Sequence, residues 1–76
     1  MGNVSVSLGV AVLTVSDTRN RETDTSGDYL QASAQEAGHR IIERHIVRDD
    51  IYDIRATVSA WIAEPEVEAI LITGGT

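Results

Sequence analysis

The chain has 76 residues, enough for one domain, and no cysteine, which excludes a disulfide framework and a thiolate metal site. Twelve Asp and Glu residues outnumber six basic residues, all arginine, and this acidic balance argues against non-specific binding to nucleic acid or to an anionic membrane. A chain of this length buries only about 60–65% of the surface that its unfolded form exposes, so we expect a partner chain or missing sequence to supplement its core.

The start of the chain carries no targeting signal that we recognise. Residues 1–7 lack the basic start and the long apolar core of a signal peptide. No apolar run approaches the roughly 20 residues of a membrane span. We therefore interpret residues 1–7 as an N-terminal extension and predict a cytoplasmic protein with no membrane partner.

A buried strand is the first predicted element. Residues 8–15 form a nearly continuous aliphatic and β-branched run, which is typical of a strand buried on both faces of a parallel sheet. Residues 16–25 are polar and aperiodic and predict a loop at the carboxyl end of that strand, where open α/β sheets bind ligands. Ser16 and Asp17 are either an Asx-type turn or a ligand-facing polar pair.

A helix is predicted over residues 26–37, with Gly38 as its C-terminal stop. Either Asp24 or Thr25 is the predicted N-cap, and capping alone explains these residue types. The alternative is that the Ser26 hydroxyl and the Gly27 N–H also donate to an anionic ligand. The apolar positions that share one face of this helix are Leu30, Ala34 and Ala37.

The second strand is predicted over residues 40–47 and is amphipathic enough to lie near a sheet edge. The second helix is predicted over residues 50–64 and is stopped by Pro65. Trp61 lies on the apolar stripe of this helix, which favours core packing over base stacking. The stripe consists of Ile51, Ile54, Val58, Trp61 and Ile62.

Asp49 is the first candidate metal ligand. Asp50 is predicted to cap the second helix, which leaves Asp49 at the carboxyl end of a strand. A carboxylate there is either an ordinary loop residue or a ligand for Mg²⁺, which proteins hold with one or two carboxylates plus substrate phosphates. His39 and His45 flank the second strand about 20 Å apart at the usual strand rise, too far to share an ion, and are interpreted as surface or edge residues.

The last predicted strand spans residues 67–73 and runs into Thr73-Gly74-Gly75-Thr76. The two glycines either only permit a tight turn or let a phosphate approach the main chain beside threonine hydroxyls. This segment is neither the GxGxxG of dinucleotide-binding folds nor a P-loop, which needs a lysine that the chain lacks.

The predicted order is β-α-β-α-β, with connections long enough for right-handed crossovers. The fold class is therefore α/β, with a mainly parallel sheet and helices on both faces in three layers. Three strands make only half of a doubly wound domain, so we expect an incomplete domain.

Taken together in chain order, these segments resemble the molybdopterin-binding family. The resemblance covers nearly all of the chain after residue 7, and Thr-Gly-Gly-Thr is its most specific signature. Family members are about twice this long, with a glycine after this signature and a second essential aspartate beyond it. The segments are residues 12–17 (VLTVSD), 24–27 (DTSG), 33–39 (SAQEAGH), 54–56 (IRA), 58–62 (VSAWI) and 71–76 (LITGGT).

The resemblance implies a role in molybdenum cofactor biosynthesis, with molybdopterin adenylylated by ATP and Mg²⁺ and pyrophosphate released. It implies that Asp49 is catalytic and holds Mg²⁺, and that the protein assembles as a trimer or hexamer. The implied nucleotide and phosphate loop is Thr73, Gly74, Gly75 and Thr76. The other implied ligand-facing residues are Ser16, Asp17, Thr25, Ser26 and Gly27.

We therefore expect residues 1–76 to be the N-terminal half of a single molybdopterin-binding domain, inactive without the second aspartate. Two alternatives differ in class. The first is a non-catalytic molybdopterin-binding or scaffold protein of the same pathway. The second is an unrelated Rossmann-like fragment that binds NAD, and the missing GxGxxG counts against it.

Overall fold

Five elements alternate along the chain in the computed structural model, which describes residues 6–20 and 22–74. They are β1 (Gly9–Val15), α1 (Thr25–Glu36), β2 (Arg40–Val47), α2 (Ile51–Ile62) and β3 (Ala69–Gly74). The strands are parallel and lie side by side in the order β2-β1-β3. The α/β class and the β-α-β-α-β order predicted from the sequence are confirmed.

β1 is the central strand, and every one of its residues is buried. Its side chains alternate between the two faces of the sheet, as strand geometry requires. Ala11, Leu13 and Val15 belong to one core cluster, and Val10 and Val12 belong to a second. The continuous apolar run in the sequence therefore reflects burial on both sides.

The two helices contribute to different core clusters and so cover opposite faces of the sheet. α2 packs on the Leu13 face through Ile54, Val58 and Trp61, and Trp61 is only 3% exposed, which confirms its predicted core role. α1 packs on the Val12 face through Leu30 and Ala34.

The apolar stripes are narrower than predicted. Ile51 and Ile62 are 62% and 73% exposed, and Ala37 is also exposed. Ile51 and Ile62 are the end residues of α2, and a helix turns by about 100° per residue, so Ile62 points away from the face that carries Trp61. Ala37 is the C-cap of α1 and lies beyond its packed turns.

Both helices begin at predicted caps, but their bounds differ by one or two residues from the prediction: α1 spans residues 25–36 rather than 26–37, and α2 spans residues 51–62 rather than 50–64. Asp24, rather than Thr25, caps α1, and the Asp50 carboxylate caps α2 by accepting from the Tyr52 and Asp53 N–H groups. Gly38 has φ +93° and follows the C-cap of α1, where its N–H donates to the Gln35 carbonyl. The His39 N–H donates to the Ala34 carbonyl, which completes a Schellman motif.

β2 contains an irregularity that the sequence does not predict. Val10 pairs with Ile41 and Ala11 with Glu43, which leaves Ile42 as an extra residue. His45 is exposed on this strand, whereas His39 is half-buried and its Nδ1 accepts from the Leu8 N–H at 3.1 Å. No helix within residues 6–20 and 22–74 is both long and apolar enough to cross a membrane.

Candidate functional site

The strand order creates a crevice beside β1. β2 pairs with one edge of β1, and the chain then returns so that β3 pairs with the other edge of β1. In open α/β sheets, a ligand site lies in the crevice outside the carboxyl ends of the strands, at the point where the strand order reverses. Val15, the last residue of β1, pairs with Val47 of β2 and Gly74 of β3, so all three strands end there together.

A cleft of about 420 Å³ lies at this end of the sheet. Its lining includes five of the ten predicted site residues: Ser16, Asp17, Ser26, Asp49 and Gly74. Thr25, Gly27 and Thr73 are next to lining residues in sequence but do not line the cleft, and Gly75 and Thr76 lie outside the described residues. The remaining lining residues are Thr14, Val15, Thr18 and Arg19.

The loop after β1 is held by its own polar side chains. Ser16 Oγ accepts from the N–H groups of Thr18 and Arg19 at 3.2 and 3.1 Å, and the Ser16 N–H donates to the Val47 carbonyl. Asp17 Oδ1 accepts from the Asp49 N–H at 3.0 Å, which joins the loops after β1 and β2. Ser16 therefore builds the turn, whereas the Asp17 carboxylate makes a long-range contact rather than an Asx turn, and both residues line the cleft.

The residues at this cleft fit a cation whose coordination shell is completed by oxygen atoms of the bound ligand. Asp17 and Asp49 are exposed carboxylates on the same cleft. Across the described part of the chain, no group of three or more His, Asp or Glu residues is close enough to hold a metal alone. Mg²⁺ commonly binds one or two carboxylates and takes its other ligands from water and substrate phosphates, so this donor set suits it.

A buried polar network fixes the start of α1. Asp24 is fully buried, and its Oδ2 accepts from Thr14 Oγ1 at 2.7 Å and from Arg44 Nη2 at 3.0 Å. Its Oδ1 accepts from the Gly27 N–H at 2.9 Å. Burial by itself would raise the pKa of the Asp24 carboxyl, but these three hydrogen bonds and the Arg44 charge outweigh burial and hold the pKa below its ordinary value.

Arg44 links β2 to α1 through the same network. Its side chain is 5% exposed, and Nη1 donates to Asp28 Oδ1 at 2.7 Å and to Gln31 Oε1 at 3.0 Å. Burial would lower the pKa of Arg44, yet the carboxylates of Asp24 and Asp28 raise it above its ordinary value. Arg44 therefore stays charged, with its positive charge matched inside the fold.

Gly27 is enclosed by this network. A Cβ at position 27 would collide with the Asp24 carboxylate and lie 2.8 Å from Arg44 Nη2. The N–H that was predicted to face a ligand donates instead to Asp24 in this conformation, while the neighbouring Ser26 lines the cleft. Gly27 thus allows α1 to approach the buried pair, and Ser26 contacts the open space.

Gly74 is needed at the end of β3 for backbone reasons. Its φ is +100°, and a Cβ there would collide with the Val15 carbonyl oxygen. These constraints explain the glycine without a ligand. They also leave main chain, rather than a side chain, at the border of the cleft, which is what close approach of a phosphate requires.

Arg19 is a lining residue that the sequence analysis did not single out. Its Nη1 donates to the Thr23 carbonyl and to Thr25 Oγ1, both at 3.2 Å, so the side chain reaches the start of α1. The available signal was a cation within the polar loop after the first strand of an acidic chain. Thr14 was also missed, because a threonine inside an aliphatic run resembles an ordinary β-branched core residue.

Comparison with known proteins adds to this geometry. Residues 11–76 match the family described as "Probable molybdopterin binding domain". The chain belongs to this molybdopterin-binding domain family. The resemblance inferred from the sequence is thereby confirmed.

Relatives of this molybdopterin-binding domain are considerably longer. "Molybdenum cofactor biosynthesis protein B" of Escherichia coli is 58% identical over 67 residues, a match that covers 88% of this chain and 39% of that protein. The protein of the same name from Bacillus cereus is 42% identical over 65 residues, covering 86% of this chain and 38% of that protein. The chain thus spans about two fifths of the length of these curated relatives.

The molybdopterin-binding domain also matches a solved structure. The crystal structure of a molybdenum cofactor biosynthesis protein B superposes with a TM-score of 0.92 at 36% sequence identity. The match covers 97% of this chain and 46% of that one. The described sheet and its two helices therefore follow the fold of that family.

Proposed function

We propose that this chain binds molybdopterin in the cleft at the carboxyl ends of β1, β2 and β3, and that the protein acts in molybdenum cofactor biosynthesis. The observation that carries the proposal is the convergence of Ser16, Asp17, Ser26, Asp49 and Gly74 on one cleft in a member of the molybdopterin-binding family. The volume of about 420 Å³ lies within the usual range of small-molecule sites.

In this proposal, Ser16 and Ser26 offer hydroxyl groups to the ligand, and Gly74 allows a phosphate to approach the main chain. The remaining predicted binding residues extend the same two segments of chain. Thr25 and Gly27 flank Ser26 at the start of α1, and Thr73 precedes Gly74 within β3. The last two, Gly75 and Thr76, follow Gly74 in the sequence.

We further propose that the complete protein transfers an adenylyl group from ATP to molybdopterin. An oxygen of the molybdopterin phosphate bonds to the α-phosphorus of ATP, the bond from that phosphorus to the bridging oxygen breaks, and pyrophosphate leaves with the electron pair. Asp49, with Asp17 beside it, would hold Mg²⁺, which when bound neutralises charge on the phosphate oxygens. The chain's own residues would orient the two phosphates for in-line reaction.

A second candidate is a non-catalytic molybdopterin-binding or scaffold role. One observation favours it: Asp17 Oδ1 already accepts from the Asp49 N–H at 3.0 Å, so this carboxylate has a structural role in joining the loops after β1 and β2. Binding would then need only the polar lining of the cleft. The two candidates share the ligand and differ in turnover.

The assembly is a separate proposal. We propose that residues 1–76 are the N-terminal half of a single domain, with residues 1–7 as an extension, and that the protein forms a trimer or hexamer. Large apolar side chains on α2 support self-association, since Ile51, Tyr52 and Ile62 are 62%, 75% and 73% exposed.

The test uses the full-length protein. Equilibrium binding of molybdopterin is measured for the wild type, for Ser26→Ala in the cleft, and for Ser59→Ala, an exposed serine on α2. We expect saturable binding that weakens in Ser26→Ala alone. Pyrophosphate release is then followed with molybdopterin, ATP and Mg²⁺. Binding with release supports adenylyl transfer, binding without release supports the non-catalytic role, and no binding refutes the proposal.

A further inference from the structure

The cleft is lined by acidic side chains, whereas its proposed ligand is anionic. The chain has a formal net charge of −6, and two carboxylates, Asp17 and Asp49, line the cleft. A phosphate-bearing ligand is itself anionic, so it requires a cationic group nearby. Among the cleft-lining residues that the structure describes, Arg19 is the one that carries a fixed positive charge.

Arg19 is held in place by neutral partners. Its own N–H donates to Ser16 Oγ at 3.1 Å, and its Nη1 donates at 3.2 Å to the Thr23 carbonyl and to Thr25 Oγ1. Both ends of the residue are therefore tied to the loop that forms the cleft wall. None of these partners neutralises the guanidinium.

Other arginines of the chain are used differently. Arg40 pairs with Glu68, and Arg44 pairs with Asp24 and Asp28. Within residues 6–20 and 22–74, no carboxylate forms such a pair with Arg19. The Arg19 guanidinium is thus oriented by hydrogen bonds at Nη1, while Nη2 and Nε make no hydrogen bond to a described residue.

We propose that Arg19 is the anion-binding residue of the cleft and holds a phosphate group of the ligand through Nη2 and Nε. This inference rests on the proposed function. A guanidinium presents parallel N–H donors that match two oxygens of one phosphate, and the charge strengthens both hydrogen bonds. The phosphate belongs either to molybdopterin or to ATP, and the chemistry of recognition is the same.

Three variants of the full-length protein test the proposal. Arg19→Gln removes the charge and the fork, Arg19→Lys keeps the charge without the fork, and Arg55→Gln removes an equal charge from an exposed position on α2. The dissociation constants of molybdopterin and of ATP are measured separately, each at low and high salt. Thermal midpoints of all variants show whether they remain folded.

We expect Arg19→Gln to weaken binding of the phosphate-bearing ligand by about 10-fold or more, as loss of charge-assisted hydrogen bonds predicts. Arg19→Lys should recover part of this loss, and Arg55→Gln should match the wild type. The salt dependence of binding should also decrease in Arg19→Gln, because one ionic contact is gone.

The two ligand arms separate this inference from the proposed function. Suppose that the wild type binds molybdopterin and that Arg19→Gln binds molybdopterin and ATP each as tightly as the wild type does. The role of Arg19 is then refuted while the proposed function stands. If the wild type binds only ATP, and does so through Arg19, the molybdopterin proposal fails while Arg19 remains an anion-binding residue. Binding of neither ligand refutes both.

Discussion

The guanidinium of Arg44 on β2 donates to the carboxylate of Asp24 at the start of α1 at a distance of 3.0 Å, with both side chains withdrawn from water. Arg44 Nη2 also donates to the Asp24 backbone carbonyl at 3.1 Å. Since Asp24 also accepts from Thr14 on β1, one carboxylate joins the first two strands to the first helix. Ser26, two residues later, lines the cleft, so this buried pair determines where the cleft wall begins.

Asp24→Asn should destabilise the fold by about 3–5 kcal/mol, because it leaves the buried charge of Arg44 without its main partner. Asp28→Asn is the matched control, since Asp28 contacts the same guanidinium but its side chain is 59% exposed. That change should cost about 1 kcal/mol or less. Urea unfolding of the three proteins gives the comparison, and equal losses for the two variants would contradict the buried-pair account.

The stability contributed by Asp24 should depend on pH in acid. The pKa of Asp24 is lower in the folded protein than its ordinary value of 3.8, so the unfolded chain takes up the proton at a higher pH. The contribution is therefore complete above about pH 4 and is lost as the pH falls through the folded pKa. Unfolding curves from about pH 7 to pH 2 should show the gap between wild type and Asp24→Asn closing at the acid end. A gap that stays constant would oppose this assignment.

Gly27→Ala should destabilise the protein by about 1–3 kcal/mol, because the added Cβ collides with the Asp24 carboxylate. Its cost should be non-additive with that of Asp24→Asn, since both changes alter one network. Gly38→Ala is the control: its φ is +93°, but a Cβ there meets nothing within 4 Å. A double-mutant cycle of unfolding free energies should show coupling for position 27 and additivity for position 38.

Trp61→Ala should cost about 3–5 kcal/mol through loss of core packing on the α2 face of the sheet. Trp61→Phe keeps most of that packing and removes the hydrogen bond from Nε1 to Glu43 Oε1 at 2.6 Å, so we expect a loss of about 1 kcal/mol beyond any repacking. Tyr52→Ala, at a position 75% exposed on the same helix, is the control. An unchanged denaturation midpoint for Trp61→Ala would refute the core assignment.

Asp49→Asn in the full-length protein should reduce Mg²⁺-dependent pyrophosphate release far more than it reduces molybdopterin binding. The physical reason is that the amide loses the charge that attracts a hard cation but keeps the size of the side chain. Asp53→Asn, on the first turn of α2 outside the cleft lining, is the control. Release titrated with Mg²⁺ should show a higher half-saturating concentration in Asp49→Asn, and an identical Mg²⁺ dependence would exclude the proposed role.

The sequence located the elements well because their signals are local. The aliphatic run around Leu13 predicted a strand buried on both faces, and the Asp50 cap and the Gly38 stop marked helix ends through side-chain and backbone chemistry within a few residues. The same local logic predicted that polar turns follow β1 and β2. It also identified Asp49 as the carboxylate left over once Asp50 caps α2.

Tertiary structure alone decided which of these parts meet. Arg44 and Asp24 are 20 residues apart, and nothing local indicates that an arginine on an amphipathic strand enters the fold to meet a helix cap. The position of Arg19 in the cleft, the exposure of Ile62 and the β2-β1-β3 order likewise depend on long-range packing. Caps, turns and periodicity are properties of neighbouring residues and can be predicted from the chain, whereas charge pairing and cleft lining arise only when separate strands are brought side by side.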